Sequence, residues 1–265
     1  MGETAPMTVV IAAACRTPFT AVDGALAGWH PVDLTAVLMN EAVARAGLTG
    51  ADVDEVWIGC AEPVGAQGAN MARAAALTAG WPDHIGGTVV DRAETSGSAA
   101  LHAAIAAIRS GEVRRAVVVG VALASVVQPG ASALGRVYGR PWGEGPAGRV
   151  EDRGGLQPPP RAAEVVADAI GATRADQDAI ALRSHEARRG VVAPAIVAVG
   201  ARPGDAVAVQ RGTLLTSDDH RTVPDDAATL PPAFDEAGTV TAFSFAPAVD
   251  RVAAGVRPPS RPSPA

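Results

Sequence analysis

Lysine is absent from this 265-residue chain, and all 22 of its basic residues are arginine. Without an amine side chain there is no lysine Schiff-base chemistry and no phosphate-binding lysine of a P-loop. Cysteine is scarce too. Cys15 and Cys60 are the only two, too few for a disulfide framework or a zinc site. Five histidines limit the supply of general bases. There is no run of 18 apolar residues and no basic-then-apolar leader, so no membrane segment is expected and a cytoplasmic location is. A formal net charge of −6 argues against nucleic acid or an anionic membrane surface as the main partner.

What is present suits a folded α/β protein. With 48% hydrophobic and 19% charged residues, the chain can bury a sizeable core in one or two domains. Valine-rich runs at 9–13, 56–59, 88–90 and 116–121 read as buried strands. Between them, 32–46, 70–80 and 96–110 read as helices, the first closed by Gly47 and the last by Gly111. Such alternation predicts a mainly parallel sheet with right-handed crossovers and helices on both faces. The helix over 96–110 carries almost no polar residue, which predicts burial on all sides.

Glycine and proline punctuate the rest. Residues 122–160 hold Pro129, Gly130, Gly139, Pro141, Gly143, Gly154 and Pro158 to Pro160, and read as a long loop region. Thr173 followed by Asp176 signals a helix start ahead of 180–188. Ile196 to Val199 and Ala206 to Val209, joined through Pro203, Gly204 and Asp205, read as a hairpin. The expected division is a single domain over 1–250, with the loop region at 122–165, and a disordered proline-rich tail at 251–265.

The most specific stretch is Asp91-Arg92-Ala93-Glu94-Thr95-Ser96-Gly97-Ser98-Ala99-Ala100-Leu101-His102. It resembles the thiolase family, whose pattern there reads Asp-Arg-Gln-Cys-Gly-Ser-Ser-Gln-Gln-Ala-Leu-His. Arg16-Thr17-Pro18-Phe19, Gly24-Ala25-Leu26 and His30-Pro31-Val32-Asp33-Leu34 repeat the family's opening run. Asp54 to Val56, Gly59-Cys60, Gly65, Asn70, Ala72 and Arg73 match further along, as do Ala181 to His185, Pro232 to Asp235 and Gly238 to Ala242. The matched blocks appear in order over roughly residues 8–242. This implies the N-terminal half of a thiolase, and it implies that the inserted loop region helps to bind coenzyme A.

Aligned without gaps, the family's acyl-accepting cysteine falls on Glu94. A residue just ahead of a helix sits at the positive end of its dipole, where a thiol is acidified and a carboxylate is stabilised. A carboxylate is a poor acyl acceptor from a thioester, and Glu94 reads first as a helix-start carboxylate with no chemical role. Thr95, Ser96 and Ser98 are substitute nucleophiles only if a base reaches them. His102 and His185 read as packing and surface residues, and His30, His84 and His220 as turn residues.

The resemblance places Phe234 and Ala242 in the coenzyme A pocket. Phe243, Phe245 and Pro247 stand where the family has a glycine-rich turn, so close backbone approach by an acyl-CoA is obstructed. No cofactor is required, and coenzyme A or an acyl-CoA is the implied ligand. Family members continue into a second half that carries further catalytic residues. An isolated half would expose a large apolar face. The expected partner is therefore a second copy, giving a homo-oligomer, or a chain supplying the missing C-terminal half. Three functions follow from the resemblance: an accessory or partner subunit related to acyl-CoA, an acyltransferase of the acetyl-CoA acetyltransferase type completed by a partner chain, or a degraded remnant of a thiolase. An enzyme could instead use Glu94 covalently, as some coenzyme A transferases use a glutamate.

Overall fold

Pleat alternation in two valine-rich strands sets the architecture. In β3 (Glu55–Cys60), Val56, Ile58 and Cys60 point to one face and Trp57 to the other. In β5 (Ala116–Leu123), Val117, Val119 and Val121 share the first face and Ala116 and Val118 the second. Strands apolar on both faces must be covered on both. The computed structural model describes residues 8–134, 145, 150, 155, 157–188, 195–200, 215, 218–219, 224, 226–245 and 248–257. Within it, the described residues of 1–132, 193–219 and 249–265 form one compact unit, and those of 133–192 and 220–248 a second.

The first unit holds a six-stranded mixed sheet of order β1-β6-β5-β3-β4, with β2 beside β6. β1 spans Ala13–Arg16, β2 Thr20–Ala21, β4 Gly86–Val90 and β6 Val249–Arg257. β4, β3 and β5 run parallel, and β6 is antiparallel to β1, β2 and β5. On one face pack α1 (Pro31–Arg45) and α2 (Met71–Thr78), and on the other α3 (Ser96–Ser110). The larger core lies under α1 and α2, where Leu34, Leu38, Met39 and Met71 are fully buried against Val56, Ile58 and Val119.

Local chemistry explains where the helices begin and end. α1 opens on Pro31 at its first position, with the His30 imidazole accepting the Val32 N–H at 3.3 Å, a use of proline that costs no hydrogen bond. α2 opens on Asn70, whose side chain accepts the Arg73 N–H and donates to the Gly87 carbonyl. α3 ends at Gly111, left-handed at φ 80°, the conformation glycine adopts without penalty.

α3 is buried along one stripe only, at Ser96, Ala100, Ala104 and Ile108. The expectation of burial on all sides is therefore corrected: alanine-rich composition hides the four-residue spacing that selects the buried face. His102 is exposed, so its reading as a packing residue is corrected as well. The stripe meets the sheet with unusual closeness. A Cβ added at Gly59 would overlap the backbone of Ser96 and Gly97, and the Cβ position of Gly97 lies 3.8 Å from the Cα of Gly120.

The expected tail at 251–265 is also corrected. Residues 251–257 belong to β6, an interior strand, where Val252, Ala254 and Val256 alternate inward; residues 258–265 lie outside the described set. The alternation Val-Ala-Ala-Gly-Val was masked by the prolines that follow it. The first expected strand lies further on, at Ala13–Arg16. Val199 pairs antiparallel with Leu215, and the hairpin partner expected at 206–209 lies outside the described residues.

The second unit holds α5 (Pro159–Ile170) and α6 (Arg174–Arg188), while α4 (Ala131–Leu134) is a single turn beyond β5. α5 begins inside the stretch expected to be loop. Pro158 caps it and Pro159 and Pro160 fill its first turn, so the proline run starts a helix rather than excluding one. α6 starts as expected, with Thr173 N–H and Oγ1 donating to the Asp176 carboxylate at 3.0 and 2.6 Å, and Asp176 N–H returning to Thr173 Oγ1. Those bonds hold the Asp176 carboxyl below its ordinary range. Arg174 ties α6 to the 226–230 turn through the Leu230 and Ala227 carbonyls.

Two outcomes are expected. Gly59→Ala should destabilise the fold by about 3 kcal/mol, because the new methyl meets helix backbone rather than a movable side chain, read as a fall in the urea midpoint. Stability should also fall as pH rises from 9 to 11. Burial pushes the Cys15 thiol up to about 11, so over that window the unfolded chain loses a proton that the folded chain keeps. The slope from Cys15 approaches roughly 1.4 kcal/mol per pH unit. With no lysine to titrate, a Cys15→Ala variant should show a visibly flatter alkaline profile.

Candidate functional site

The segment joining β4 to α3 is a tight turn held by its own polar groups. The Asp91 carboxylate accepts the Ala93 N–H at 3.0 Å, and Thr95 Oγ1 donates to the Arg92 carbonyl at 2.8 Å. Ser96 Oγ accepts the Arg92 N–H at 2.8 Å and donates to the Ala93 carbonyl at 2.5 Å. These bonds hold Ala93 at φ 48°, a left-handed conformation that an L-residue adopts only under constraint. Glu94 follows directly. It is exposed, and its carboxylate makes no hydrogen bond or ion pair among the described residues.

Three side chains near Glu94 carry hydroxyls, and their environments differ. Ser96 is buried with its hydroxyl engaged as both donor and acceptor, and Thr95 spends its proton on the Arg92 carbonyl. Ser98 is exposed. No histidine makes a hydrogen bond to any of the three among the described residues, so the proton transfer that would activate a hydroxyl has no acceptor in place. Of the other histidines, His30 caps α1, His84 is exposed in a turn, and His220 lies outside the described residues.

Neither cysteine is placed to act. Cys15 is buried beneath α1 with its thiol directed to the Leu38 carbonyl. Cys60 is fully buried at the end of β3, accepts from Gln67 Nε2, and has its thiol pushed up by burial. A nucleophilic thiol needs an electropositive and accessible setting. Among the described residues no group of three or more histidine, cysteine, aspartate or glutamate side chains could hold a metal, and no helix is long and apolar enough to cross a membrane.

Phe234 and Ala242 belong to the second unit. Phe234 lies within, and Ala242 directly after, a short hairpin in which Pro232 bridges Thr241 and the Ala233 N–H donates to the Val240 carbonyl at 3.0 Å. Glu164, on α5, anchors that hairpin: its buried carboxylate accepts the Val240 N–H at 2.8 Å and the Thr239 N–H at 2.9 Å. The turn after it is shaped by Thr241, whose N–H donates to Ser244 Oγ at 2.9 Å while its Oγ1 accepts the Ser244 N–H at 3.1 Å. Phe243 folds inward and stacks on His185 at 5.0 Å and 14°, which corrects the surface reading of that histidine. Phe245 meets Phe234 edge-on at 5.2 Å, leaving Phe234 45% exposed and Ala242 exposed. Pro247 lies outside the described residues. Glu94 and the pair Phe234 and Ala242 thus lie in different units. Sequence reasoning missed Glu164, because a single glutamate among alanines and valines carries no signal of its buried role.

Comparison with known proteins bears on the family and the fold. The family description "Thiolase, N-terminal domain" matches residues 9–256, which extends past Ala242 and takes in β6. A β-ketoadipyl-CoA thiolase of Pseudomonas aeruginosa is 36% identical over 189 residues, covering 67% of this chain and 47% of that protein. A 3-ketoacyl-CoA thiolase of Bacillus subtilis is 32% identical over 261 residues, covering 92% of this chain and 64% of that protein. The solved structure of an acetyl-CoA acetyltransferase from Syntrophomonas wolfei superimposes with a TM-score of 0.77 at 26% identity, over 96% of this chain and 65% of that one. The chain thus spans from about half to two thirds of the length of these relatives. It belongs to the thiolase family and carries the N-terminal domain of that fold.

Proposed function

We propose that this chain is a thiolase-fold protein without thiolase turnover of its own, acting as an accessory or partner subunit that engages coenzyme A or an acyl-CoA. One observation carries the reading: the turn ahead of α3 presents the exposed carboxylate of Glu94, and the chain's two thiols are both buried and pushed up by burial. Acyl transfer from a thioester through an enzyme thiolate needs an acidified, reachable sulfur. A carboxylate at the same place is stabilised by the helix dipole and becomes less nucleophilic for the same reason.

The retained hairpin supports binding. Phe234 is exposed on a hairpin locked by Glu164, with Phe245 against one side of its ring. An aromatic ring offered to solvent on a rigid element suits the flat or apolar portions of a coenzyme A ligand. Partner identity follows the same logic: a second copy or a chain bearing the complementary part of the fold. A cytoplasmic location is part of the same proposal.

Purified chain incubated with acetoacetyl-CoA and coenzyme A should produce no acetyl-CoA, and its intact mass should be unchanged after exposure to acetyl-CoA. Turnover, or an acyl adduct on Glu94, would sink the reading in favour of an acyltransferase. In Glu94→Cys the new thiol should titrate below the ordinary cysteine pKa of about 8.5, read by iodoacetamide rate against pH, while Cys15 and Cys60 stay unlabelled. Coenzyme A should bind by calorimetry and weaken roughly tenfold in Phe234→Ala, in line with losing one aromatic contact.

A further inference from the structure

α5 is amphipathic in the reverse sense. Its inward side carries Glu164 and Ala167, whereas Val165, Val166 and Ile170 are exposed. An aliphatic face turned toward the hairpin would need no buried charge, and burying a carboxylate costs free energy that its hydrogen bonds must offset. A local rule broken in this way is expected where a residue serves a site rather than the core. The bonds of Glu164 show which site that is.

We propose that Glu164 is the positioning residue of the hairpin's ligand site, fixing with Gly238 where the Phe234 ring stands; the consequence for coenzyme A rests on the reading that this hairpin engages it. The path from carboxylate to ring is short. Glu164 Oε1 accepts the Val240 N–H at 2.8 Å, and the Val240 carbonyl accepts the N–H of Ala233, the residue before Phe234, at 3.0 Å. Glu164 Oε2 accepts the Thr239 N–H at 2.9 Å and its hydroxyl at 3.1 Å, and the same hydroxyl accepts from Gln177 Nε2 of α6 at 2.8 Å. One helical turn earlier on the same face of α5, Arg161 pairs at 3.0 Å with Asp235, the residue after Phe234. α5 thus grips the chain on both sides of the ring. The Arg161 pair lies in solvent and holds weakly, which leaves the buried carboxylate as the deciding contact. Gly238 makes room for it: a Cβ at that position would overlap the Glu164 carboxyl group. Phe245, edge-on to Phe234 at 5.2 Å, reports where the ring lies.

Two variants of the full chain test the assignment. Glu164→Gln keeps the length of the side chain but sets an amide NH2 against one of the N–H donors, and Gly238→Ala displaces the carboxylate without removing it. In the ligand-free chain each should move the Phe234 and Phe245 ring signals in the nuclear magnetic resonance spectrum toward those of free rings. The buried Trp57 signal of the first unit and the circular dichroism should not change. Coenzyme A binding by calorimetry should weaken about tenfold in either variant, the loss of one aromatic contact. Combining Glu164→Gln with Phe234→Ala should weaken binding no further than about tenfold, because independent losses would multiply to about a hundredfold and a shared route does not. Ring signals that stay in place in both variants would overturn the proposal. So would losses that multiply, or full affinity in Glu164→Gln where Phe234→Ala is weakened. Rings that move in a chain that binds no coenzyme A would support the role of Glu164 and sink the reading of the hairpin as a coenzyme A site.

Discussion

The approach of α3 to the sheet is the contact on which the arrangement of this molecule depends. Gly59 on β3, Gly97 on α3 and Gly120 on β5 have no side chains, so helix backbone lies against strand backbone. Close packing of this kind fixes height as well as direction, because no side chain can reorient to take up slack. Once α3 is seated, its first turn and the residues before it have little freedom. The left-handed Ala93 and the hydrogen bonds from Asp91, Thr95 and Ser96 follow from the short distance between the end of β4 and the start of α3.

That geometry separates scaffold from chemistry. The turn that presents residue 94 is built from backbone carbonyls, two hydroxyls and one carboxylate, none of which depends on the identity of the residue presented. A glutamate there leaves every one of these bonds intact, and its side chain extends into solvent. Retention of the fold is thus compatible with a changed reaction, or with none, because family membership speaks to the frame and the chemistry lives in a few side chains. The two cysteines lie in the core, where burial keeps them protonated.

The second unit follows a different economy. Its hairpin around Phe234 and Ala242 is fastened by a single buried carboxylate, Glu164, whose oxygens take up backbone N–H groups at Thr239 and Val240. Leaving a buried carboxylate unbonded would cost several kcal/mol, so the hairpin and α5 stabilise each other as a pair. The arrangement consumes the inward face of α5, and this is why its aliphatic residues face outward. A polar anchor inside and an apolar surface outside are two consequences of one bond set.

Much of this was legible in the amino-acid order, where local rules apply. Continuous valine-rich runs located β3 and β5, glycine after an alanine-rich run ended α3, and Thr173 with Asp176 opened α6, because each depends on neighbours within a turn or a strand. The ordered blocks from Arg16 to Ala242 identified the family. Tertiary contacts decided the rest. Composition alone could not say which side of α3 is buried, since alanine tolerates either environment. Val249–Arg257 became an interior strand only because β1 and β5 leave a gap for it. His185 and Phe243 are far apart in sequence and meet only through the fold. The chain's order determined which elements form and which residue stands before α3; packing between distant segments decided which faces those elements bury and which side chains are left for a ligand or a partner.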